Sequence, residues 1–413
     1  MKVLIRGAGD LATGIASRLY GAGHQILMTE IEIPLTVRRT VALSRAVYEG
    51  SAQVEEMTGV LAKDQTGAET AISDGNIAVM VDEEASCRRW FRPDVIVDAI
   101  LAKRNLGTRI TDAPFVIGVG PGFTAGADCN CVIETKRGHT LGNIIWSGSA
   151  IPNTGVPGNV AGYTVERLIR AEADGALEPK VQIGDIDARA EVSHCYTISD
   201  KARAVGGGVL EAVTGFERMK DKFAIVILAA GTGTRFGGNK LNALVKNKPL
   251  YEHTLEKVRA FGSFPAYVVT GSEEIAQEAE KNGIATVWNR EPERGISLSL
   301  TLGLKKAIEN RPGLKGVLFS VCDQPELGIS TMQQIFRTAF QHPGSIVCAG
   351  NGERTGNPVC WDSLFFPELL TLTGDEGGRQ IMRRHREKVR IVQADPEELK
   401  DIDRREDLVH ERR

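Results

Sequence analysis

No apolar run in the 413-residue sequence approaches the ~18 residues that a membrane-spanning helix needs, so no span is expected. The first residues, MKVLIRGAGD, lack the basic start, long apolar stretch and small-residue cleavage site of a secretory leader. A net charge of −3, from 50 basic against 53 acidic side chains, leaves no polycationic footprint for nucleic acid or an acidic membrane surface. The seven cysteines form no secreted-type framework in so long a chain, so reduced thiols in a cytoplasmic protein are expected. Tandem repeats and low-complexity tracts are missing as well. What remains is an ordinary globular composition, 42% apolar and 25% charged, long enough for two domains. Glycine is the excess, at 45 residues or about 11% of the chain against roughly 7% on average. The glycines cluster between strand and helix signals, where backbone must turn sharply or approach a ligand closely.

Strand and helix signals alternate twice along the chain. Residues 2–5 form a short apolar strand broken at Gly7-Ala8-Gly9, and 11–20 follow with helical spacing of Leu11, Ile15 and Leu19. Further strands are expected at 25–29, 77–81, 95–100 and 115–119. A loop-like stretch runs from Trp146 to Gly162, a helix follows around Val165, Leu168 and Ile169, and 172–200 is irregular. A last helical piece covers 200–213, entered across Gly206-Gly207-Gly208, and the charged stretch 217–222 reads as a linker. Alternation then restarts, with strands at 224–229, 266–269, 286–288 and 316–321 and helices at 251–261, 273–281, 298–309 and 330–340. The pattern predicts two α/β domains with doubly wound, parallel sheets, over residues 1–215 and 223–413.

The strongest chemistry lies in the second half. Leu228-Ala229-Ala230-Gly231-Thr232-Gly233-Thr234-Arg235-Phe236-Gly237-Gly238-Asn239-Lys240 follows directly on an apolar strand. Such a loop offers backbone N–H groups to anionic oxygens, with Arg235 and Lys240 as fixed cations. It is not a Walker loop, which ends in Gly-Lys-Ser/Thr. The alternative is a tight turn with two solvated basic residues. Phe319-Ser320-Val321-Cys322-Asp323-Gln324-Pro325 puts one acid just past another apolar strand. Ligands of open parallel sheets bind at the carboxyl ends of strands, so Asp323 and the glycine loop are expected on one edge. Asp323 is then a candidate ligand of Mg²⁺ bridging triphosphate oxygens, or else a helix N-cap. Gly374-Asp375-Glu376-Gly377-Gly378-Arg379 adds a second acid, Asp375, or a polar turn that caps a helix. Ser297 and Ser299, at a helix start, are candidates for phosphate or base contacts or for capping.

Five ordered motifs, Leu-Ala-Ala-Gly-x-Gly-x-Arg-Phe-Gly-x-x-Lys (228–240), Gly-x-Ser-x-Ser-Leu (295–300), Cys-Asp-Gln-Pro (322–325), Gly-Asn-Pro-Val (356–359) and Gly-Asp-x-Gly-Gly-Arg (374–379), resemble the molybdenum cofactor cytidylyltransferase family. The resemblance covers roughly 223–413 and implies a nucleotidyltransferase domain of Rossmann-like, GT-A type. It implies transfer of CMP from CTP to the molybdenum cofactor with release of pyrophosphate. Leu228, Ala229, Ala230, Gly231, Gly233, Gly237 and Ser297 would bind the nucleotide. Arg235, Lys240 and Asp323 would carry catalysis, with Mg²⁺ on Asp323 and Asp375. Ala230 matches cytidylyl enzymes, whereas guanylyl relatives usually have Gly there. Ile296 departs from the Met common in the family. No nucleophilic side chain is required, so Cys322 is expected to be packing.

In the first half, Gly7-Ala8-Gly9-Asp10, with Glu30 about 20 residues on, fits a dinucleotide fingerprint that has Ala in third place. Gly7, Gly9 and Asp10 are candidate cofactor contacts. The alternative is a Rossmann-like scaffold without a dinucleotide, since Asp10 adds negative charge beside any pyrophosphate. Lys103-Arg104-Asn105, after the 95–100 strand, offers charge for an anionic ligand or forms a solvated loop. Cys129-x-Cys131 supplies too few ligands for zinc, and His139, His194 and Cys195 would complete a site only if the fold gathered them. Arg6–Gly14, Met28–Glu30, Arg38–Thr40, Ala102–Asn105, Gly118–Gly126, Asn153–Gly155 and Ile198–Arg203 resemble the accessory family of selenium-dependent molybdenum hydroxylases. That resemblance spans about 1–215, with a shorter segment at 170–191, and implies a client molybdenum hydroxylase. The expected whole is a fusion that makes and delivers a dinucleotide form of the molybdenum cofactor. Alternatives are a sugar-phosphate nucleotidyltransferase, a cofactor carrier without turnover, and an NAD(P)-dependent oxidoreductase.

Overall fold

The computed structural model describes residues 1–152, 162–163, 191–231, 233, 236–259, 261–262, 264–352 and 354–412. The helix expected around Val165 and the Asn153-Thr154-Gly155 motif lie outside the described residues. The chain divides into two compact units, Met1–Thr214 and Gly215–Arg413, and both are α/β. Among the described residues no helix is long and apolar enough to cross a membrane.

The first unit is built on nine strands: β1 (Lys2–Arg6), β2 (Gln25–Glu30), β3 (Ser51–Val54), β4 (Met57–Leu61), β5 (Ile77–Val81), β6 (Val95–Asp98), β7 (Phe115–Val119), β8 (Cys131–Ile133) and β9 (Ile144–Ile145). They lie in the order β3-β4-β5-β2-β1-β6-β7-β8-β9. Runs such as Val-Leu-Ile in β1 and Phe-Val-Ile-Gly-Val in β7 are buried along their length, as central strands of a parallel sheet must be. Antiparallel pairing is confined to the margins, at β3–β4 and β8–β9. The Asp10–Gly21 helix buries Leu11, Ile15 and Leu19, the stripe read from the sequence.

Two expectations for this part of the chain change. The strand expected over 95–100 stops at Asp98, because the chain then turns through left-handed Leu101 (φ +63°) and Lys103 (φ +61°). The helix expected to end at 213 runs from Asp200 to Lys222, so the charged stretch 217–222 is helical rather than an extended linker. Its glycines are not an entry loop. A Cβ on Gly206 would lie 2.5 Å from the Gly14 carbonyl oxygen, and one on Gly208 would lie 2.0 Å from that of Gly142. Close packing of backbone on backbone, which only glycine permits, explains Gly206 and Gly208 better than turn chemistry, whereas Gly207 has open space around it.

In the second unit β10 (Phe223–Ala229), β13 (Ala266–Thr270), β14 (Ala285–Trp288), β15 (Gly316–Val321), β16 (Ile346–Asn351), β17 (Arg354–Asp362) and β18 (Val389–Gln393) form one sheet. Its order is β14-β13-β10-β15-β17-β16-β18, with β17 antiparallel to both neighbours. A small hairpin, β11 (Leu244–Val245) with β12 (Lys248–Pro249), stands apart. The Ile296–Asn310 helix lays Leu300, Leu304 and Ala307 over Val226, Val269 and Val317 of the sheet. Each large side chain buried there contributes roughly 1.5–3 kcal/mol relative to exposure. Gly303 lies against Val226, whose Cγ1 would be 2.4 Å from an added Cβ, so the helix sits close on the strands.

Candidate active site

β10 and β15 are adjacent and parallel, with Leu228 opposite Val321. Their carboxyl ends therefore open on one edge, and the glycine loop and Asp323 leave from it together, as the motif order predicts. The loop is compact. The Gly233 carbonyl accepts the amides of Phe236 (3.0 Å) and Gly238 (3.2 Å). Gly233 has φ +62°, and a Cβ there would sit 3.0 Å from Lys240 Cβ. Gly237 (φ +86°) and Gly238 (φ +100°) continue the left-handed path, while Gly231 is exposed with open space around it. Arg235 lies outside the described residues.

Lys240 is the centre of the charge arrangement. Its Nζ donates to Asp323 Oδ2 at 2.9 Å and to Asp403 Oδ1 at 2.7 Å. Burial works against this ammonium, but the Asp323 and Asp403 carboxylates outweigh it and hold its pKa above the ordinary lysine value. Asp401 stands beside them, and burial, then the charge of Asp323, push its carboxyl up to about 6. Two oxygens of the Asp323-Gln324 pair, Asp323 Oδ1 and Gln324 Oε1, are buried without a hydrogen-bond partner among the described residues. Such orphans are expected where a donor or cation completes the site.

Asp401 and Asp403 were not singled out from the sequence. They arrive from the chain's last segment, which the structure folds onto the loop. Ile402 inserts with Phe236, Val245 and Leu250 into one apolar cluster, and its amide donates to the Asp323 carbonyl at 2.9 Å. Arg405 Nε reaches the Phe236 carbonyl at 3.4 Å, with its guanidinium 5.8 Å from the Phe236 ring centre. Asp407 Oδ2 takes the amides of Asp403 (2.9 Å) and Arg404 (2.7 Å), fixing that turn. The only local signal was the acid–apolar–acid triplet Asp401-Ile402-Asp403.

The remaining candidates fall elsewhere in the arrangement. Ser297 is buried, and both its amide (3.3 Å) and its hydroxyl (2.6 Å) donate to the Gly374 carbonyl. A Cβ on Gly295 (φ +90°) would lie 2.3 Å from that same oxygen. The helix start at Ile296 is thus locked to the turn that carries Asp375, and Asp375 itself is exposed. Ser299 accepts from Asn289 Nδ2 at 2.9 Å. Cys322 is fully buried, and burial pushes its thiol far up, so it packs and does not react. Among the described residues no group of three or more His, Cys, Asp or Glu side chains could hold a metal by itself. Asp323 and Asp403 offer one carboxylate each. That suits Mg²⁺, which is ordinarily bound by one or two carboxylates plus substrate phosphates and water.

In the first unit the Gly7–Asp10 loop turns its polar groups inward. The Gly7 amide donates to the Thr29 carbonyl (2.8 Å), Ala8 to Glu30 Oε2 (3.0 Å) and Leu11 to Asp10 Oδ1 (2.9 Å). Glu30 Oε1 accepts from Ile31 (3.0 Å). Glu30, the acid of the dinucleotide fingerprint, is therefore spent on the loop itself.

Residues 225–389 match the family described as the MobA-like NTP transferase domain. "Uncharacterized protein YqeB" of Escherichia coli is 45% identical over 253 residues, covering 51% of this chain and 47% of that protein. The "Probable molybdenum cofactor guanylyltransferase" of Thermococcus gammatolerans is 32% identical over 80 residues, covering 19% of this chain and 42% of that one. The chain thus spans about half the length of these curated relatives or less. Among solved structures, Rv0371c of Mycobacterium tuberculosis superposes with a TM-score of 0.40 at 24% identity, over 46% of this chain and 96% of that one. The carboxyl-terminal part of the chain thus matches a MobA-like NTP transferase domain, and a stretch of it is similar to molybdenum cofactor guanylyltransferases.

Proposed function

We propose that the protein transfers CMP from CTP to the terminal phosphate of molybdopterin, in maturation of a molybdenum hydroxylase. The observation that carries this reading is Lys240, held between Asp323 and Asp403 beside the glycine loop on one sheet edge. A phosphate oxygen of the acceptor attacks the α-phosphorus of CTP, the bond from that phosphorus to the β-phosphate oxygen breaks, and pyrophosphate leaves. Little covalent work falls to the protein, so positioning and charge neutralisation carry the rate. The amides around Gly231, Gly233 and Gly237 receive the triphosphate, Leu228, Ala229 and Ala230 shape the approach, and Arg235 and Lys240 neutralise it. Asp323 and Asp403 would hold Mg²⁺, which would lower the charge on the phosphates, and Asp375 lies on the turn braced by Ser297. Lys240 exchanges a carboxylate for phosphate when nucleotide enters.

CTP is favoured by Ala230, and GTP is the second reading because guanylyltransferases stand among the relatives. The first unit, through its resemblance to accessory proteins of selenium-dependent hydroxylases, is assigned the holding or delivery of the product to that client. The test is pyrophosphate release with purified molybdenum cofactor and Mg²⁺, comparing CTP, GTP and ATP for the native protein and Asp323→Ala. CTP-selective release that disappears in the variant is expected. Release with GTP alone overturns the cytidylyl assignment, and no release with any nucleotide overturns turnover altogether.

A further inference from the structure

The exits of β1, β6, β7 and β8 lie side by side on the carboxyl edge of the first sheet. β1 has its sequence successor β2 on one side and β6 on the other, so the strand order reverses there. That reversal is where open α/β sheets form a ligand crevice. The first turn of the Asp200–Lys222 helix is wedged into this edge. A Cβ on Gly14 would lie 2.5 Å from Ala202 Cβ, and one on Gly142 would lie 2.6 Å from the Ala204 carbonyl oxygen. Lys201 is thereby set beside the Asp10–Gly21 helix, which follows β1, and the loop leaving β8.

The charges that face Lys201 are Arg137, Asp10, Glu134 and Asp200. Each acid is already engaged. Asp200 takes a forked pair from Arg137 at 2.8 and 3.1 Å. Asp10 accepts from the Leu11 amide (2.9 Å) and from Arg38 (3.4 Å). Glu134 accepts the Thr135 and Lys136 amides on Oε1 (both 2.8 Å) and the Ile151 amide on Oε2 (2.9 Å). Lys201 has no hydrogen bond or ion pair among the described residues. Burial and the charge of Arg137 work against a cation there, and the carboxylates of Asp10, Glu134 and Asp200 offset them only in part. Burial, with Arg137, depresses its pKa.

The neighbouring exit is cationic too. The loop leaving β6 carries exposed Lys103 and Arg104, with Leu101 and Lys103 left-handed. Gly122 (φ +113°), on the loop leaving β7, would place a Cβ 2.6 Å from the Arg104 amide nitrogen, so the two loops touch. Backbone held in sparsely populated conformations needs support from its surroundings and concentrates at ligand sites.

We propose that this edge of the first unit binds a phosphate-bearing anion, with Lys201 as its inner charge partner and the Lys103-Arg104 loop as its outer one. The ligand is gripped by side-chain cations, since the Gly7 amide of the first loop is given to the Thr29 carbonyl and the Ala8 amide to Glu30. A phosphoryl group placed against Lys201 offsets the repulsion by Arg137.

The test is calorimetric titration of the full chain, carrying Lys240→Ala to disable the second unit's phosphate site, with inorganic pyrophosphate and separately with NAD⁺. Pyrophosphate binding that Lys201→Met weakens by about tenfold or more, while Lys201→Arg stays within about threefold, is expected. A heat signal with NAD⁺ that is equally sensitive to Lys201→Met assigns a pyrophosphate-bridged dinucleotide. Binding of pyrophosphate alone assigns the free anion. Equal affinity in Lys201→Met and its parent, or no binding by the parent, overturns the proposal. Should Lys201→Met fail to fold, as read by its thermal melt, the pair Lys103→Ala with Arg104→Ala takes its place. An unchanged affinity in that pair is equally fatal.

Discussion

Asp403→Ala separates a functional carboxylate from a mere counter-ion. In the folded protein Asp403 Oδ1 lies 2.7 Å from Lys240 Nζ, with the Asp403 side chain 51% exposed and that of Lys240 11% exposed. An ion pair with one partner half in water contributes only about 0.2–1 kcal/mol. Lys240 also keeps Asp323 at 2.9 Å, so the variant leaves no unpaired buried ammonium. The second unit should then lose at most about 4 °C in Tm, given the size scaling of unfolding entropy. Catalysis should suffer far more. If Asp403 helps hold the metal on the triphosphate, kcat/KM for the nucleotide falls roughly 100-fold, or about 2.7 kcal/mol of transition-state stabilisation. The Mg²⁺ concentration for half-maximal rate rises with it. The assay is steady-state pyrophosphate release over a Mg²⁺ titration, alongside a thermal melt of the same preparation. A counter-ion role gives the opposite sign, because freeing Lys240 for phosphate lowers the nucleotide KM. A kcat/KM within about threefold of the native value, at unchanged Mg²⁺ demand, refutes the assignment.

Gly233→Ala forces an L side chain into φ +62° with its Cβ 3.0 Å from Lys240 Cβ, which costs about 1–2 kcal/mol and shifts the lysine. A lower Tm together with a raised nucleotide KM is expected, and an unchanged KM would show that the loop does not set the position of Lys240. Lys257 is pushed down to about 8 by burial, while donating to the Pro325 carbonyl. Between pH 8 and 10.5 the unfolded chain still binds the proton that the folded protein has released, so this group's contribution to stability improves as pH rises. Melts of native protein and Lys257→Met across pH 7 to 10.5 should show the difference moving in favour of the native protein above pH 8. A difference that stays flat contradicts the burial effect.

The local chemistry was legible because it lies within single strand-to-loop units. Strands 77–81 and 316–321 and helix 273–281 have the bounds that periodicity predicts, and β10 and β15 bring the glycine loop and Asp323 to one edge. The strands β16, β17 and β18 were not read, since β17 pairs antiparallel and its Arg354-Thr355-Gly356-Asn357 half has no apolar alternation. The site's third wall was missed for a different reason. Asp403 lies 163 residues from Lys240, and what brings it there is Ile402 filling a small cluster with Phe236, Val245 and Leu250. One apolar side chain between two acids looks like a solvated surface until its partners are known. In the first unit, Gly206-Gly207-Gly208 misled for a related reason, because a glycine run signals a turn locally but here Gly206 and Gly208 serve close contact with Gly14 and Gly142.

The two units treat a lysine at a sheet edge in opposite ways, and the contrast bears on how each is used. Lys240 is neutralised in advance by two carboxylates, so an incoming polyphosphate must displace an internal anion or arrive with a cation that takes the carboxylates over. On the proposed assignment of Mg²⁺ to Asp323 and Asp403, binding there would be coupled to the metal, since both would draw on the carboxylates that hold the ammonium. Lys201 has nearby acids that are all committed to amides or arginines, so an anion can meet it without displacing a carboxylate. Affinity at the second unit should therefore rise steeply with Mg²⁺, whereas affinity at the first unit's edge should depend on ionic strength and hardly on Mg²⁺. A pyrophosphate isotherm in the Lys240→Ala protein, repeated with Mg²⁺ replaced by a chelator, reads that difference. Loss of binding on chelation would mean that a metal bridges the anion in the first unit as well, and Lys201 alone would not explain the site.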